Sequence, residues 1–142
     1  MKNNKGFSLV ELIIVIAIMA ILAGALAPAL IKYINKSRKS TDISNGDLIA
    51  KAVTTALAEE AGFNAAKDST YSSAQLCSDT DAFTEETHST LGASSMKVKY
   101  GDGKGGDFTI VVDKVNNKCT VYANTSATPD DQVYPEQGKN YK

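Results

Sequence analysis

Apolar and polar positions change pattern several times along this chain. From residue 7 to residue 31, 21 of 25 residues are apolar, and no charge interrupts the 20 residues of 12–31. As a helix rising about 1.5 Å per residue, that run spans about 30 Å, the thickness of a bilayer's hydrocarbon core. Beyond it Ile31, Ile34, Ile49, Ala52, Val53, Ala56 and Leu57 recur largely at helical spacing. The helix is therefore predicted to continue to Ala61, its outer half offering one apolar stripe to a sheet. Gly62 supplies the expected C-cap, and Asn45-Gly46 is a weak point that would bend the helix or divide it in two.

Residues 68–95 carry 12 Ser or Thr in 28 positions without sustained periodicity, which predicts a loop with a short helical turn at 74–77. Three runs then alternate in the manner of strands: 96–100, 108–113 and 118–123. Met96, Val98 and Tyr100 form one apolar row, and Phe108, Ile110 and Val112 another. Joined by 101–107 and by Val115-Asn116-Asn117, they predict a three-stranded antiparallel meander. The tail 124–142 is polar, with Pro129, Asp130, Asp131 and Pro135, and reads as an irregular surface wrap. The fold class is α+β: one long N-terminal helix whose outer half packs on a small antiparallel sheet.

Composition narrows the function classes. With 15 Lys or Arg against 16 Asp or Glu, the net charge of -1 excludes a strongly basic, nucleic-acid-binding chain. From residue 32 to the end only 39 of 111 residues are apolar and none is Trp, enough for one small domain. Cys77 and Cys119 stand 42 positions apart beside a single His88, without CxxC, HxxxH or HExxH spacing. That excludes the usual zinc sites. Outside the cytoplasm the two cysteines would pair, a loop closure worth about 4 kcal/mol. The glycine-rich stretch 101–107 lacks the Gly-Lys-Ser/Thr ending of a phosphate loop and the ligand set of a calcium loop, and reads as a hairpin loop. His88 has no partner triad, so no enzyme, metal or cofactor is expected. Asn35-Lys36-Ser37 and Asn124-Thr125-Ser126 fit the glycosylation tripeptide, a pattern too common to carry weight.

The compartment rests on the N-terminus. Lys2 and Lys5 make a short basic head, but Lys32, Lys36, Arg38 and Lys39 follow the apolar run, so the positive-inside rule does not set the orientation. The four basic residues read as a solvated helix face or as contacts to anionic head groups. Three readings compete: a secretory signal peptide cut near 23–25 or 27–29, a plain single-span anchor, and a processed anchor with its own leader. Glu11 counts against the first two, because signal peptides and passive anchors avoid a carboxylate in the apolar region, although a carboxylate at the margin of the span can also reach toward the head groups.

The string Lys5-Gly6-Phe7-Ser8-Leu9-Val10-Glu11-Leu12 ahead of the apolar run resembles the signature of the type IV pilin family. The resemblance covers about the first 35 residues, with Ser8 in place of the more usual Thr. It implies that 1–6 is a leader removed by a prepilin peptidase after Gly6, and that Phe7 becomes the N-methylated first residue. It implies that Glu11 pairs with the amine of a neighbouring subunit and sets the axial register, and that Pro28 falls where the family interrupts its helix. Chemistry supports these roles. Glycine leaves the scissile backbone unobstructed, and a carboxylate one turn into a helix faces the positive end of its dipole. Pro28 removes the bond to the Gly24 carbonyl, which should kink or loosen the helix between them.

The expected organisation is therefore a leader at 1–6, a membrane and filament-core helix at 7–31, an amphipathic continuation at 32–61, and an extracytoplasmic part at 62–142. The implied function is that of a pilus subunit, held in the cytoplasmic membrane and polymerised with copies of itself into a helical surface filament for adhesion, motility or DNA uptake. The implied partners are the peptidase, an assembly platform and its ATPase. A pseudopilin of a secretion or competence machine shares Gly6, Phe7 and Glu11 and is the nearest alternative; a secreted binding module is the third.

Overall fold

The computed structural model describes residues 6–92 and 96–142, in two units, one ending at Lys36 and one spanning residues 37–142. A single helix, α1 (Leu9–Ala58), contributes to both. In the first unit every side chain from Phe7 to Ile31 is exposed. The helix runs through Gly24 and Pro28 without interruption, so the loosening expected there does not reach a break. One missing backbone bond does not end a helix whose flanking turns keep theirs.

In the second unit α1 is followed by α2 (Glu60–Ala65), β1 (Thr70–Ser72), α3 (Ser73–Leu76), α4 (Ala82–Leu91), β2 (Thr109–Asp113), β3 (Lys118–Tyr122), a 3₁₀ turn (Pro129–Asp131) and β4 (Gln132–Tyr134). The strands form one antiparallel sheet in the order β1-β2-β3-β4. Ile110 opposes Val121 and Val112 opposes Cys119, and all four are buried. Alternation thus sends one face of the β2–β3 pair inward, against Ile49, Val53, Ala56 and Leu57 of α1 in the same core. Phe108, Val98, Val133, Leu76 and Phe83 complete it. At about 1.5–3 kcal/mol per fully buried large apolar side chain, these residues supply most of the driving force of the unit.

Several sequence expectations are corrected. Residues 96–100 are not a strand; Lys97 and Asp107 make an isolated bridge, and the sheet recruits β1 and β4 instead. The loop 101–107 is a hairpin turn, closed by Val98 N donating to Gly106 O at 3.0 Å and Gly105 N donating to Val98 O at 2.8 Å. In the stretch 68–92 the helical turn expected at 74–77 is α3, shifted by one residue, while β1 and α4 replace the rest of the expected loop. Ser72 and Asp81 each form a capping box, with Gln75 and Thr84, that starts α3 and α4. The tail is not a surface wrap either, since it carries β4 and buries Val133 and Tyr141.

The end of α1 also differs from expectation. The helix stops at Ala58, Glu59 turns extended (φ -82°, ψ 134°), and Gly62 lies inside α2. A Cβ on Gly62 would strike the Ala56 carbonyl, so this glycine permits a tight reversal rather than capping a helix. Asn45-Gly46 does not divide α1. A Cβ on Gly46 would sit 2.6 Å from Val133 Cγ2, so the glycine lets the helix approach β4.

One charged group is built into this helix–sheet contact. Asp42 is fully buried, and its carboxylate accepts from Lys99 N at 2.7 Å, Tyr100 N at 2.8 Å and the Tyr141 hydroxyl at 3.2 Å. Residues 57 to 99 positions away are thereby tied to one turn of α1. Burial pushes the Asp42 carboxyl above the usual Asp range, against the pull of those three donors.

Candidate functional site

The residues that carry the N-terminal signature meet at the start of α1. Gly6, Phe7 and Ser8 precede the first helical turn, and Phe7 is 86% exposed. The Gly6–Phe7 peptide bond therefore lies outside the helix, and no atom comes within 4 Å of where a Gly6 Cβ would be. The rest of the expected leader, residues 1–5, lies outside the described residues.

Ser8 and Glu11 cap the helix reciprocally. The Glu11 Oε2 atom accepts from the Ser8 amide at 2.8 Å, and Ser8 Oγ accepts from the Val10 amide at 3.3 Å. Leu12 N donates to Ser8 O at 3.2 Å to close the first turn. These bonds satisfy two of the four donors that a helix N-terminus leaves open. The Ser-x-x-Glu spacing at 8–11 is the sequence signal for this reciprocal cap, and reading Glu11 through its charge alone, toward the dipole and a neighbouring amine, leaves it out. The carboxylate also sits at the positive end of the helix dipole, where an anion is favoured by about 0.3–1 kcal/mol.

Behind this cap stretches an exposed apolar surface. Leu9, Val10, Ile13, Ile14, Ile16, Ile18, Met19, Ile21, Leu22 and Leu26 are all more than half exposed, and the helix is long and apolar enough to cross a membrane. A continuous exposed apolar patch of this size marks a surface that binds lipid or protein. Among the described residues no atom outside its own stretch of helix lies within 4 Å of a would-be Gly24 Cβ.

The remaining candidates lie in the second unit. Cys77 and Cys119 are not joined to each other. Cys119 is buried on β3 opposite Val112, while Cys77 ends α3 half-buried. Spacing alone could not show that Cys119 is turned into the core. Burial pushes the Cys119 thiol up to about 12, and burial followed by the charges of Asp79 and Asp107 raises Cys77. His88 Nδ1 meets Asp79 Oδ1 at 2.8 Å on an exposed edge, which fastens the 77–81 turn to α4. A cavity of about 310 Å³ lies between Glu59, Gly62, Glu85, Glu86 and Ser89. Among the described residues no cluster of His, Cys, Asp and Glu could hold a metal ion. Asn124, in one of the glycosylation tripeptides, uses its side-chain amide to donate to Asp131 Oδ2 at 2.8 Å.

Comparison with known proteins bears on the same segment and extends past it. A family model described as the prokaryotic N-terminal methylation motif matches residues 1–27. Over 120 residues the chain is 34% identical to the type IV major alpha-pilin of Moraxella bovis, an alignment covering 83% of this chain and 74% of that protein. No solved structure matches the chain.

Proposed function

This chain belongs to the type IV pilin family, and from that premise we propose that it is the structural subunit of a type IV pilus. A prepilin peptidase cuts between Gly6 and Phe7, and the freed Phe7 amine is methylated. The subunit waits in the cytoplasmic membrane through residues 7–31, with residues 62–142 outside. An assembly platform and its ATPase then draw it into a helical homopolymer in which the same apolar surface packs against copies of itself. The filament serves adhesion, motility or DNA uptake, and the chain has no catalytic role of its own.

The observation that supports this reading most directly is the continuous exposed apolar surface that begins right behind a capped helix start, with the Gly6–Phe7 bond just ahead of it. Lipid covers that surface in the stored subunit and neighbouring helices cover it in the filament. Glu11 has one role in each state. In the monomer it caps its own helix, and in the filament its second oxygen meets the Phe7 amine of a neighbour. An ion pair of that kind selects one register among the many that apolar surfaces allow, while desolvation offsets much of its attraction. Gly24 and Pro28 form the stretch that changes helical rise as the subunit leaves the bilayer, where one backbone bond is already missing.

Mass spectrometry of the protein from its native membrane tests the processing. Loss of residues 1–6 with one added methyl on Phe7 is the expected result, and a start at Leu26 or Leu30, or an intact Met1, would sink it. Electron microscopy of surface filaments, lost on deletion and restored by this chain, then separates a pilus from a pseudopilus.

A further inference from the structure

The C-terminal residues close over the Asp42 junction without joining the sheet. After β4 ends at Tyr134, the chain returns through Gly138, whose backbone packs against the Pro129 and Asp130 carbonyls so closely that a Cβ has no room. Gly138 N donates to Gln132 O at 2.8 Å and Asn140 N to Asp130 O at 2.9 Å. The Asn140 side-chain amide donates to Asp131 Oδ1 at 2.8 Å, and Asp131 Oδ2 takes Asn124 on its other side. Tyr141 is 3% exposed. Its hydroxyl reaches Asp42 Oδ2 at 3.2 Å and Tyr100 O at 3.3 Å, and its ring meets the Tyr100 ring edge-on at 5.9 Å. Tyr100 is the keystone of the arrangement: Asp42 holds its amide, Tyr141 its carbonyl and ring edge, and Lys39 Nζ lies 4.9 Å from its ring centre.

The bonds at this junction are unequal. The two amide donors to Asp42 are short and belong to the chain beneath, while the Tyr141 hydroxyl shares one proton between two acceptors at long range. Removing the tail costs that shared bond, the Asn140 ties and the burial of one ring, and it leaves the strand ladder intact. We infer that residues 138–142 form a strap that latches onto Asp42 and opens as one unit, baring the carboxylate and the 99–100 backbone while β2 and β3 stay paired. Segments held this way open far below the global unfolding free energy. The strap is thus a local gate on the first buried position of α1, counted from its N-terminus, and it acts whether or not the subunit polymerises.

Amide hydrogen exchange on the full chain in detergent micelles, resolved by NMR, tests this. Tyr141→Phe removes only the hydroxyl and should speed exchange at positions 99, 100, 138 and 140 together by about tenfold, the effect of one net hydrogen bond. The β2–β3 ladder amides should keep their rates. Asn140→Ala, which cuts the tie to Asp131 without touching Asp42, should speed the same four amides, and Lys142→Ala none. Unchanged rates at 99 and 100 in both variants would overturn the latch. An equal rise across the ladder would overturn it as well, since Tyr141 would then be an ordinary core residue of the whole unit.

Discussion

Glu11 Oε2 and the amide of Ser8 are 2.8 Å apart, so the carboxylate expected to pair with a neighbouring subunit already caps the first turn of its own helix. The two roles separate by substitution. Glutamine also completes a capping box, so Glu11→Gln should keep the helix start and lose only the charge. Glu11→Ala should lose both, with about 0.5–2 kcal/mol from the cap. Both variants should be cleaved and methylated normally, and both should yield far fewer sheared filaments. Wild-type filament yield from Glu11→Gln would show that the cap, not the charge, is what assembly requires.

The Gly6–Phe7 bond stands clear of the helix with open space around Gly6. Gly6→Val adds a β-branched side chain at the residue before the cut and restricts its backbone. The expected product is a full-length chain that keeps residues 1–6 and carries no methyl on Phe7, visible as a single heavier species by intact mass. A normally shortened mass would remove Gly6 from the recognition determinants.

How much of this was legible beforehand is clearest along α1. Of the apolar positions read at helical spacing, Ile49, Ala52, Val53, Ala56 and Leu57 are buried, because spacing reports a face directly, whereas Ile31 and Ile34 of the same series are exposed. The start of that buried face was not legible. Its first members are Asp42 and Gly46, a carboxylate and a glycine, which no hydrophobic pattern marks. The same blindness hid β4, whose short run of Gln132, Val133 and Tyr134 has one buried residue. The β2–β3 pair was legible through its alternation, whereas residues 96–100 alternate equally well and form no strand. Pattern cannot say which segments find a partner. At the N-terminus the sequence pattern points to Ser8 and Glu11 one at a time, and the reciprocal bonds between them appear only in the structure.

The two misread glycines make a paired prediction. A methyl on Gly62 meets the backbone carbonyl of Ala56, while one on Gly46 meets the end of the Val133 side chain. A side chain gives way more readily than a helix backbone, so Gly62→Ala should destabilise the unit more than Gly46→Ala, each within about 1–3 kcal/mol. Adding Val133→Ala should recover part of the loss in Gly46→Ala and none in Gly62→Ala. Chemical denaturation followed by the near-ultraviolet dichroism of the tyrosines reads all four variants.

The cysteines are not bonded to each other, and burial raises both thiols, Cys119 up to about 12. Attack on an alkylating reagent requires the thiolate. At pH 8 the folded chain should therefore label at Cys77 first and at Cys119 only on the timescale of unfolding. In denaturant without reductant, both should label. A protein that takes up no label in denaturant until reductant is added would instead carry the Cys77–Cys119 bond anticipated from the extracytoplasmic setting.

The Asp42 carboxyl supplies a pH test whose sign follows from its surroundings. Burial raises its pKa above the unfolded value, and the amides of Lys99 and Tyr100, the Tyr141 hydroxyl and the charge of Lys99 only partly oppose that. Between the unfolded value, about 3.9, and the higher folded one, the native state binds more protons than the unfolded state. Stability from this group therefore falls as pH rises through that window. Asp42→Asn does not titrate there, and it points an amide donor at one of the two backbone donors that the carboxylate satisfied, costing about 1–3 kcal/mol. The variant should be less stable than the wild type at every pH. The gap should be widest on the acid side of the window and narrow toward neutral pH. Denaturation of both proteins in detergent at several pH values measures it, and a gap that widens toward neutral pH would mean that the fold favours the Asp42 anion.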